Sequence, residues 1–356
     1  MYTCKDKIDK ISEYDVYFIN DRYFINRANN IECRDVMNNK LIFEIKSKKI
    51  VSTYKNLIVT NKLIIYNNDK LIYKNIDFEN IWDGFIDNDV KLSIWREFDS
   101  NDSKLLWIHL FDISKMEFIY TNIILEGNVT HIKNNYLIIR KPQATLQIYD
   151  YTQSSVVWQK DFSEIATYND PLHDTPMKGE ISKVYLYKED RIIVCTRYKS
   201  TYCFELTTGK QIWESKSYAR TIEVVGEIGY VCTGLSLYKL NLETGERSDY
   251  YIESEGRMPD IIRGEDDIIW PAGHEVVYHD GLLWYSLCSS GYSYLIAINP
   301  FDGHYEWIHE VKTYEQTDSP KFYKNKMYIK DTGGTLHIYE KEIPTNTTNI
   351  YERKTS

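Results

Sequence analysis

The chain has 356 residues, 43% of them hydrophobic, so it is long enough to bury a sizeable core. Its 43 lysines and arginines against 52 acidic residues give a net charge of −9, which disfavours nucleic acid and anionic lipid as partners, because phosphate binding needs clustered cations. No window approaches the run of about 18 apolar residues that a membrane-spanning helix requires, so no membrane span is expected.

Short segments that alternate apolar and polar residues recur from end to end, and a period of two predicts strands. The same alternation excludes a solenoid of helix pairs. In chain order the predicted strands form eight groups: 15–20, 23–26, 31–36 and 41–45; a compact group within 49–75; 91–98, 104–111 and 117–123; 130–135, 136–141, 145–150 and 155–162; 183–188, 191–198, 201–207 and 211–216; 221–226, 229–234, 237–242 and 248–253; 275–280, 282–288, 293–299 and 304–311; and 321–326, 327–332 and 335–342.

A tight hairpin recurs in these groups, and its clearest copy is residues 203–213. Glycine in the turn, at Gly209, Gly245 and Gly303, can take the positive φ that such a hairpin needs. An aromatic residue follows the turn at a constant offset, and its ring can fill the gap between neighbouring sheets. The aromatic positions are Phe43, Tyr73, Phe118, Trp158, Trp213 and Trp307. In the copy at Gly245, Asp249 stands in this position instead.

These positions recur every 30 to 58 residues, which suits about four short strands per repeat. We therefore predict an all-β fold, a single β-propeller of four-stranded antiparallel blades over residues 1–343. We predict eight blades, or seven if the compact second group merges with a neighbour, and a β-sandwich is the rival architecture. The last blade lacks its outer strand, and either the residues before Asp15 or the tail 344–356 could close the ring. A tail that is not used in this way would be disordered.

Two of the turns, TTGKQIW at 207–213 and LETGE at 242–246, resemble the repeat of quinoprotein-type (PQQ-like) β-propellers, whose blades carry a turn of the form Asp-x-x-Thr-Gly-Lys-x-x-Trp. The resemblance implies a radial array of blades over nearly the whole chain. It would also bring a quinone and a calcium ion, but this chain lacks the adjacent cysteine pair that those enzymes place against the quinone. We therefore expect no cofactor and no metal. A similarity to the propeller lipoprotein of outer-membrane barrel assembly implies a scaffolding role, although no lipobox-like run is present.

Three connections between the groups are too long for simple turns, at 76–89, 164–180 and 253–274. In a propeller they emerge on the same face as the loop between the second and third strands, and loops of this length are usually functional or disordered. Aromatics among carboxylates make plausible anchors for a protein partner. The predicted partner-binding residues are Asp77, Trp82, Asp83, Asp87, His173, Asp174, Asp260, Arg263, Glu265, Asp266, Asp267 and Trp270. Trp82 and Trp270 have an alternative place in the core beneath the inner strands.

The sequence singles out no catalytic residue. The second histidine of HEVVYH at 274–279 comes one residue too late for the zinc motif HExxH, and its alternating Val276 and Tyr278 predict a strand. His173 and Asp174 lie together on a loop, where a histidine beside a carboxylate could serve acid–base chemistry, but no nucleophile accompanies them.

The sequence favours a non-enzymatic scaffold that presents an acidic loop face to a basic protein partner. One concrete version is a bacterial immunity protein that neutralises a basic toxin. The alternatives are an enzyme acting on a carbohydrate or small molecule through carboxylates at the central channel, and a degenerate propeller held in a larger complex. We expect a monomer. We expect it in the cytoplasm, because the six cysteines are scattered and the N-terminal residues include no apolar signal region.

Overall fold

A computed structural model describes residues 2–11, 16–47, 49–54, 57–60, 64–67, 70–74, 83–87, 90–96, 105–112, 115–169, 174–234, 236–250, 261–262, 268–269, 275–289, 292–311, 313 and 315–342. In this part of the chain the fold is all-β, and its helical structure is limited to a 3-10 turn at Pro142–Ala144. None of the described helical structure is long and apolar enough to cross a membrane. The chain divides into two compact units, residues 11–276 and residues 1–10 together with 277–356.

The chain begins with strand β1 (Tyr2–Ile8), which belongs to the second unit. The first unit then holds six four-stranded antiparallel sheets, blades 1 to 6, each formed by four consecutive strands. The strands of blades 1 to 3 are β2 (Tyr17–Ile19), β3 (Arg22–Asn26), β4 (Ile31–Asp35) and β5 (Leu41–Ile45); β6 (Ile50–Tyr54), β7 (Leu57–Thr60), β8 (Ile64–Asn67) and β9 (Lys70–Lys74); and β10 (Asp83–Asp87), β11 (Val90–Arg96), β12 (Leu105–Asp112) and β13 (Glu117–Glu126).

Blades 4 to 6 complete this unit, and a two-stranded hairpin lies in the connection that follows blade 4 and in the one that follows blade 6. The strands are β14 (Asn128–Lys133), β15 (Tyr136–Lys141), β16 (Thr145–Asp150) and β17 (Ser155–Asp161); the hairpin strands β18 (Tyr168–Asn169) and β19 (Pro176–Met177); β20 (Ile181–Tyr187), β21 (Arg191–Thr196), β22 (Thr201–Glu205) and β23 (Gln211–Ser215); β24 (Thr221–Val225), β25 (Ile228–Cys232), β26 (Leu237–Asn241) and β27 (Arg247–Asp249); and the hairpin strands β28 (Ile261–Ile262) and β29 (Ile268–Ile269).

The second unit holds blades 7 and 8. Their strands are β30 (Val277–His279), β31 (Leu282–Ser289), β32 (Tyr292–Ile298) and β33 (Tyr305–Val311), and β34 (Lys321–Tyr323), β35 (Lys326–Lys330) and β36 (Leu336–Lys341). Strand β1 is the fourth strand of blade 8 and runs antiparallel to β36. Because β35 occupies the other edge of β36, the C-terminal tail is not the closing strand, and the interpretation that assigned this role to residues 344–356 is wrong.

The described residues thus form eight four-stranded antiparallel blades, and the predicted β-propeller is confirmed. The compact second group is a blade of its own, so the count of seven is wrong. The prediction that residues 76–89 form a loop is also wrong at Asp83 and Asp87, which are the first and last residues of β10. Strand β10 pairs antiparallel with β11, Asp87 lying opposite Val90, and β10 is the fourth strand that the predicted blade 3 lacked.

One turn geometry recurs between the third and fourth strands of the blades. In blade 6 the N–H of Asn241 donates to the carbonyl of Glu246 at 2.9 Å, and its own carbonyl accepts the N–H of Gly245 at 2.8 Å. The same two bonds close the turns that begin at Asp35, Glu205 and Asn299. The residue four positions later has positive φ in all of these turns, +64° to +77°, which explains why asparagine or glycine stands there.

The aromatic residue after the turn packs on the turn of the following blade. The ring of Trp213 in β23 lies over Gly245, where a Cβ would come within 2.7 Å of it, and its Nε1 donates to the carbonyl of Leu242 at 2.9 Å. Trp158 in β17 covers Gly209 of blade 5 at the same 2.7 Å. Glycine is therefore required twice over at these two positions, by the positive φ and by the ring above it.

Other aromatic rings fill the corresponding position in blades 1, 2, 3 and 7. Tyr73 of blade 2 contacts Phe111 of blade 3 with 5.0 Å between centroids, and Phe111 contacts Phe118 at 5.1 Å. Phe43 lies edge-on to Phe24 within blade 1. Trp307 of blade 7 stacks on His309 at 5.1 Å. The hydrophobic core is thus divided into clusters, most of which lie between adjacent sheets and are bridged by these rings.

Candidate functional site

A cleft of about 490 Å³ opens on the first unit, where the connections that precede blades 5 and 6 meet the loops between their second and third strands. Four cations and one carboxylate are among the residues that line it, in a chain whose net charge is −9. The lining residues are Arg140, Glu180, Ile181, Ser182, Lys183, Arg197, Tyr198, Tyr218, Arg220 and Thr233. The cleft therefore has the opposite charge to the chain as a whole.

The backbone of blade 5 fixes the position of Arg140. Strand β20 is irregular between Ile181 and Lys183, where its register against β21 shifts by one residue at Ser182. Nη1 of Arg140 donates to the carbonyls of Ile181 and Ser182 at 3.2 and 3.3 Å. A β-bulge of this kind changes the direction of the side chains and carbonyls around it. Here the two redirected carbonyls accept hydrogen bonds from the Arg140 guanidinium, near the end of β15.

Two of the cations are already paired with carboxylates. Arg197 Nη1 lies 3.0 Å from Glu180, and Lys183 Nζ lies 2.6 Å from Glu275. The hydrogen bond to Glu180 raises the pKa of Arg197 above its ordinary value. All four side chains are roughly half exposed, so each pair contributes only about 0–1 kcal/mol to stability, and the pairs serve mainly to orient the groups.

A row of three tyrosines runs along the same part of the surface. The rings of Tyr168 and Tyr198 are 5.4 Å apart, and those of Tyr198 and Tyr218 are 5.1 Å apart. The guanidinium of Arg197 lies over the Tyr198 ring at 5.4 Å. Burial raises the pKa of the Tyr218 hydroxyl above its ordinary value. Tyr198 is 42% exposed, which leaves the middle of the row open to solvent.

Exposed apolar side chains accompany this row on the connection between blades 4 and 5. Ile165 is 48% exposed and Met177 is 38% exposed. An arginine, tyrosines and apolar side chains together form the composition that marks the core of protein interfaces.

Asp174 is the one predicted partner-binding residue whose side chain the structure describes. It lies between β18 and β19 with φ +48°, and its carboxylate accepts a hydrogen bond from the Asn169 amide at 3.0 Å. Asp83 and Asp87 lie in β10. The other predicted partner-binding residues fall outside the described residues: Asp77, Trp82, His173, Asp260, Arg263, Glu265, Asp266, Asp267 and Trp270.

The cationic cleft has no continuous signature in the sequence because its residues are far apart in the chain. Arg140 and Arg197 each stand at the end of a second strand, in blade 4 and blade 5. Second strands in a propeller end on the same face, so basic residues at equivalent positions of neighbouring repeats were the available signal. Among the described residues no group of three or more His, Cys, Asp or Glu could hold a metal ion.

Comparison with known proteins agrees with the fold. The chain is similar over 91% of its length to a computationally designed protein, Ika8, at 10% identity and a TM-score of 0.62, covering 95% of that chain. It is similar over 96% of its length to BamB from Moraxella catarrhalis (11% identity, TM-score 0.60, all of that chain) and to the β-propeller domain of Cps50 (Swd1) from Myceliophteria thermophila (10% identity, TM-score 0.53, 99% of that chain). At such identities these structures establish the fold alone.

None of the curated proteins searched matches the chain. A protein-family model described as outer membrane protein assembly factor BamB matches residues 142–342, which is more than half of the chain. The matched residues include blade 5, blade 6 and both of the glycine turns that dock a tryptophan. The chain therefore belongs to the BamB family of PQQ-like repeat propellers.

Proposed function

We propose that this chain is a non-enzymatic scaffold that binds a protein partner through the face carrying the tyrosine row. The observation that carries the proposal is the exposed Tyr198, whose ring lies under Arg197 and against Tyr168, together with exposed Ile165 and Met177 on the connection that carries Tyr168. Aromatic and arginine anchors with apolar neighbours supply most of the energy of protein interfaces. The description of the family as an assembly factor supports a protein partner rather than a small substrate.

The net charge of −9 and the carboxylate-rich connections support a basic partner. Long-range attraction would raise the association rate more than the affinity, and added salt would slow association. A bacterial immunity protein that neutralises a basic toxin is one concrete form of this proposal. We further propose that the chain acts as a monomer and that it lies in the cytoplasm. The free thiols of Cys33, Cys195, Cys203 and Cys232 support the second point, because disulfides are rare in that compartment. Cell fractionation and light scattering of the purified chain test these two points.

Affinity capture from the organism that encodes the chain tests the binding face. The first bait carries Ile165→Ser and Tyr198→Ser, and a matched control carries Ile42→Ser and Ile212→Ser on outermost strands. The control side chains are 44% and 40% exposed, close to the 48% and 42% of the tested pair. We expect the wild type and the control to retain a stoichiometric protein that the first bait loses.

Equal retention by both double variants would reject this face, and a folded wild type that retains no protein would reject the scaffold itself. The captured protein also tests the charge argument, since a partner with an acidic isoelectric point would contradict it. An immunity protein must also protect growth: cells that express the captured protein should grow only when they express this chain as well.

A further inference from the structure

We infer that the cationic cleft binds an acidic peptide segment of the partner, with carboxylates placed against Arg140 and Arg220. The inference rests on the proposed protein-binding function and adds the chemistry of the segment that the cleft accepts. A partner that is basic overall can carry such a segment, because the charge of the cleft is local.

The first support is an excess of positive charge within the cleft. Glu180 and Glu275 pair with Arg197 and Lys183, which accounts for two of the four cations. Arg140 and Arg220 have no carboxylate within ion-pair distance among the described residues, and Arg220 is exposed to solvent. Two uncompensated guanidinium groups in one concave site attract anions, because concave surfaces concentrate the field of their charges.

The second support is the hydrogen-bonding capacity of Arg140. A guanidinium carries five N–H donors in a planar fork that matches the two oxygens of a carboxylate. In this chain Nη1 of Arg140 is held by the carbonyls of Ile181 and Ser182. Nε and Nη2 donate to no described residue, so one edge of a positioned guanidinium remains available for a ligand.

The third support is the size and lining of the cleft. A volume of about 490 Å³ lies within the roughly 300–1,000 Å³ of ligand sites and far exceeds the space that one carboxylate or phosphate fills. The rings of Tyr198 and Tyr218 provide an apolar wall beside the cations. A short peptide can place acidic side chains on the arginines and lay the intervening residues on the tyrosines, whereas a small inorganic anion would contact the arginines alone.

Fluorescence anisotropy with a defined probe tests the inference. The probe is a fluorescein-labelled, amidated octapeptide of alternating glutamate and alanine, and its uncharged match alternates glutamine and alanine. We expect the wild type to bind the glutamate peptide at least about tenfold more tightly than the glutamine peptide. Arg140→Gln with Arg220→Gln should abolish this preference.

The matched control is Lys40→Gln with Lys210→Gln, which removes the same charge from two exposed turn residues outside the cleft lining. It should change the affinity for the glutamate peptide by less than about twofold, as expected for distant surface charges. Because Arg140 holds backbone carbonyls, Arg220→Gln alone is included as a variant with no such role, and it should weaken binding by about fivefold.

Equal binding of the two peptides by the wild type, or equal losses in the arginine and lysine double variants, would overturn the inference. Displacement of the peptide by inorganic phosphate at the same concentration as the peptide's own dissociation constant would assign the cleft to small anions and also overturn it. If the captured partner depends on Ile165 and Tyr198 while the acidic peptide does not bind, the proposed function stands and this inference fails. If the glutamate peptide binds through Arg140 and Arg220 while the folded wild type captures no protein, the proposed function fails instead, so the two failures are distinguishable.

Discussion

Replacing Gly245 with alanine tests whether the tryptophan that docks on the turn holds blades 5 and 6 together. A side chain at φ +76° costs about 1 kcal/mol through left-handed strain. A Cβ placed 2.7 Å from the Trp213 ring also forces the ring to move, which costs about 1–3 kcal/mol in a filled core. The free energy of unfolding should therefore fall by about 2–4 kcal/mol.

Gly226 supplies a matched control within the same blade. Its φ is +62°, close to that of Gly245, but a Cβ there would meet no atom within 4 Å. Gly226→Ala should therefore cost only the strain, about 1 kcal/mol. Trp213→Ala should cost about 3–5 kcal/mol, because the ring is 7% exposed and leaves a cavity. In the Trp213→Ala background, Gly245→Ala should cost no more than Gly226→Ala does.

Urea denaturation followed by circular dichroism measures all of these variants on one scale, independently of the tryptophan that is removed. The coupling between Gly245 and Trp213 is obtained from the double-mutant cycle, and the expected value is the difference of about 1–3 kcal/mol between the two glycine variants. Equal losses for the two glycines in the wild-type background would refute the docking argument. So would a Gly245→Ala cost that is unchanged after Trp213 is removed.

Three further predictions concern other contacts. The pKa of Glu243 is lowered from 4.5 to about 2, first by a hydrogen bond from Lys188, so its contribution to stability is present above pH 4.5 and is lost as the pH falls towards 2. Glu243→Gln should consequently flatten the decline of the urea midpoint on acidification, and a decline equal to that of the wild type would contradict this. Asp331→Ala should lower the free energy of unfolding by about 3 kcal/mol, because the buried carboxylate lies 2.9 Å from Nε2 of the equally buried His337. Urea denaturation measures this loss, and a loss below about 1 kcal/mol would show that the pair is dispensable. Tyr2→Ala should lower the free energy of unfolding by about 3 kcal/mol, because it empties a buried position. Loosening β1 also frees the edge of β36, so the variant should self-associate in size-exclusion chromatography. A stable monomer would argue against the role of β1 in covering that edge.

The repeat could be predicted from the sequence because its chemistry is local. An Asp, Asn or Glu opens the turn, a residue with positive φ follows four positions later, and an aromatic comes four positions after that, as at Asn299, Gly303 and Trp307. Strand β10 was missed because Asp83 and Asp87 frame only three residues, and its carboxylates resemble those of a loop. The sequence does not determine the closing strand, because the pairing of Tyr2 with Lys341 has no local signature.

The candidate site was harder to predict for a related reason. Carboxylates concentrate in three continuous stretches, where composition reveals them, while the cleft takes single residues such as Arg140, Lys183 and Arg220 from three different blades. Its three arginines, Arg140, Arg197 and Arg220, are separated by 57 and 23 residues in the chain. The arginines come together because equivalent strand ends of neighbouring blades lie on the same face of a propeller. This proximity is a property of the folded blades and not of the local sequence.

The pairing of β1 with β36 sets the order in which the protein can mature. The ribosome makes β1 before β36, so β1 remains unpaired while the more than three hundred residues between the two strands are added. Blade 8 can be completed only after β36 has been made, and until then the chain carries β1 with an open edge. Completion of this blade therefore waits for β36, and truncated products that lack residues 336–341 would display an unpaired β1 to chaperones and proteases.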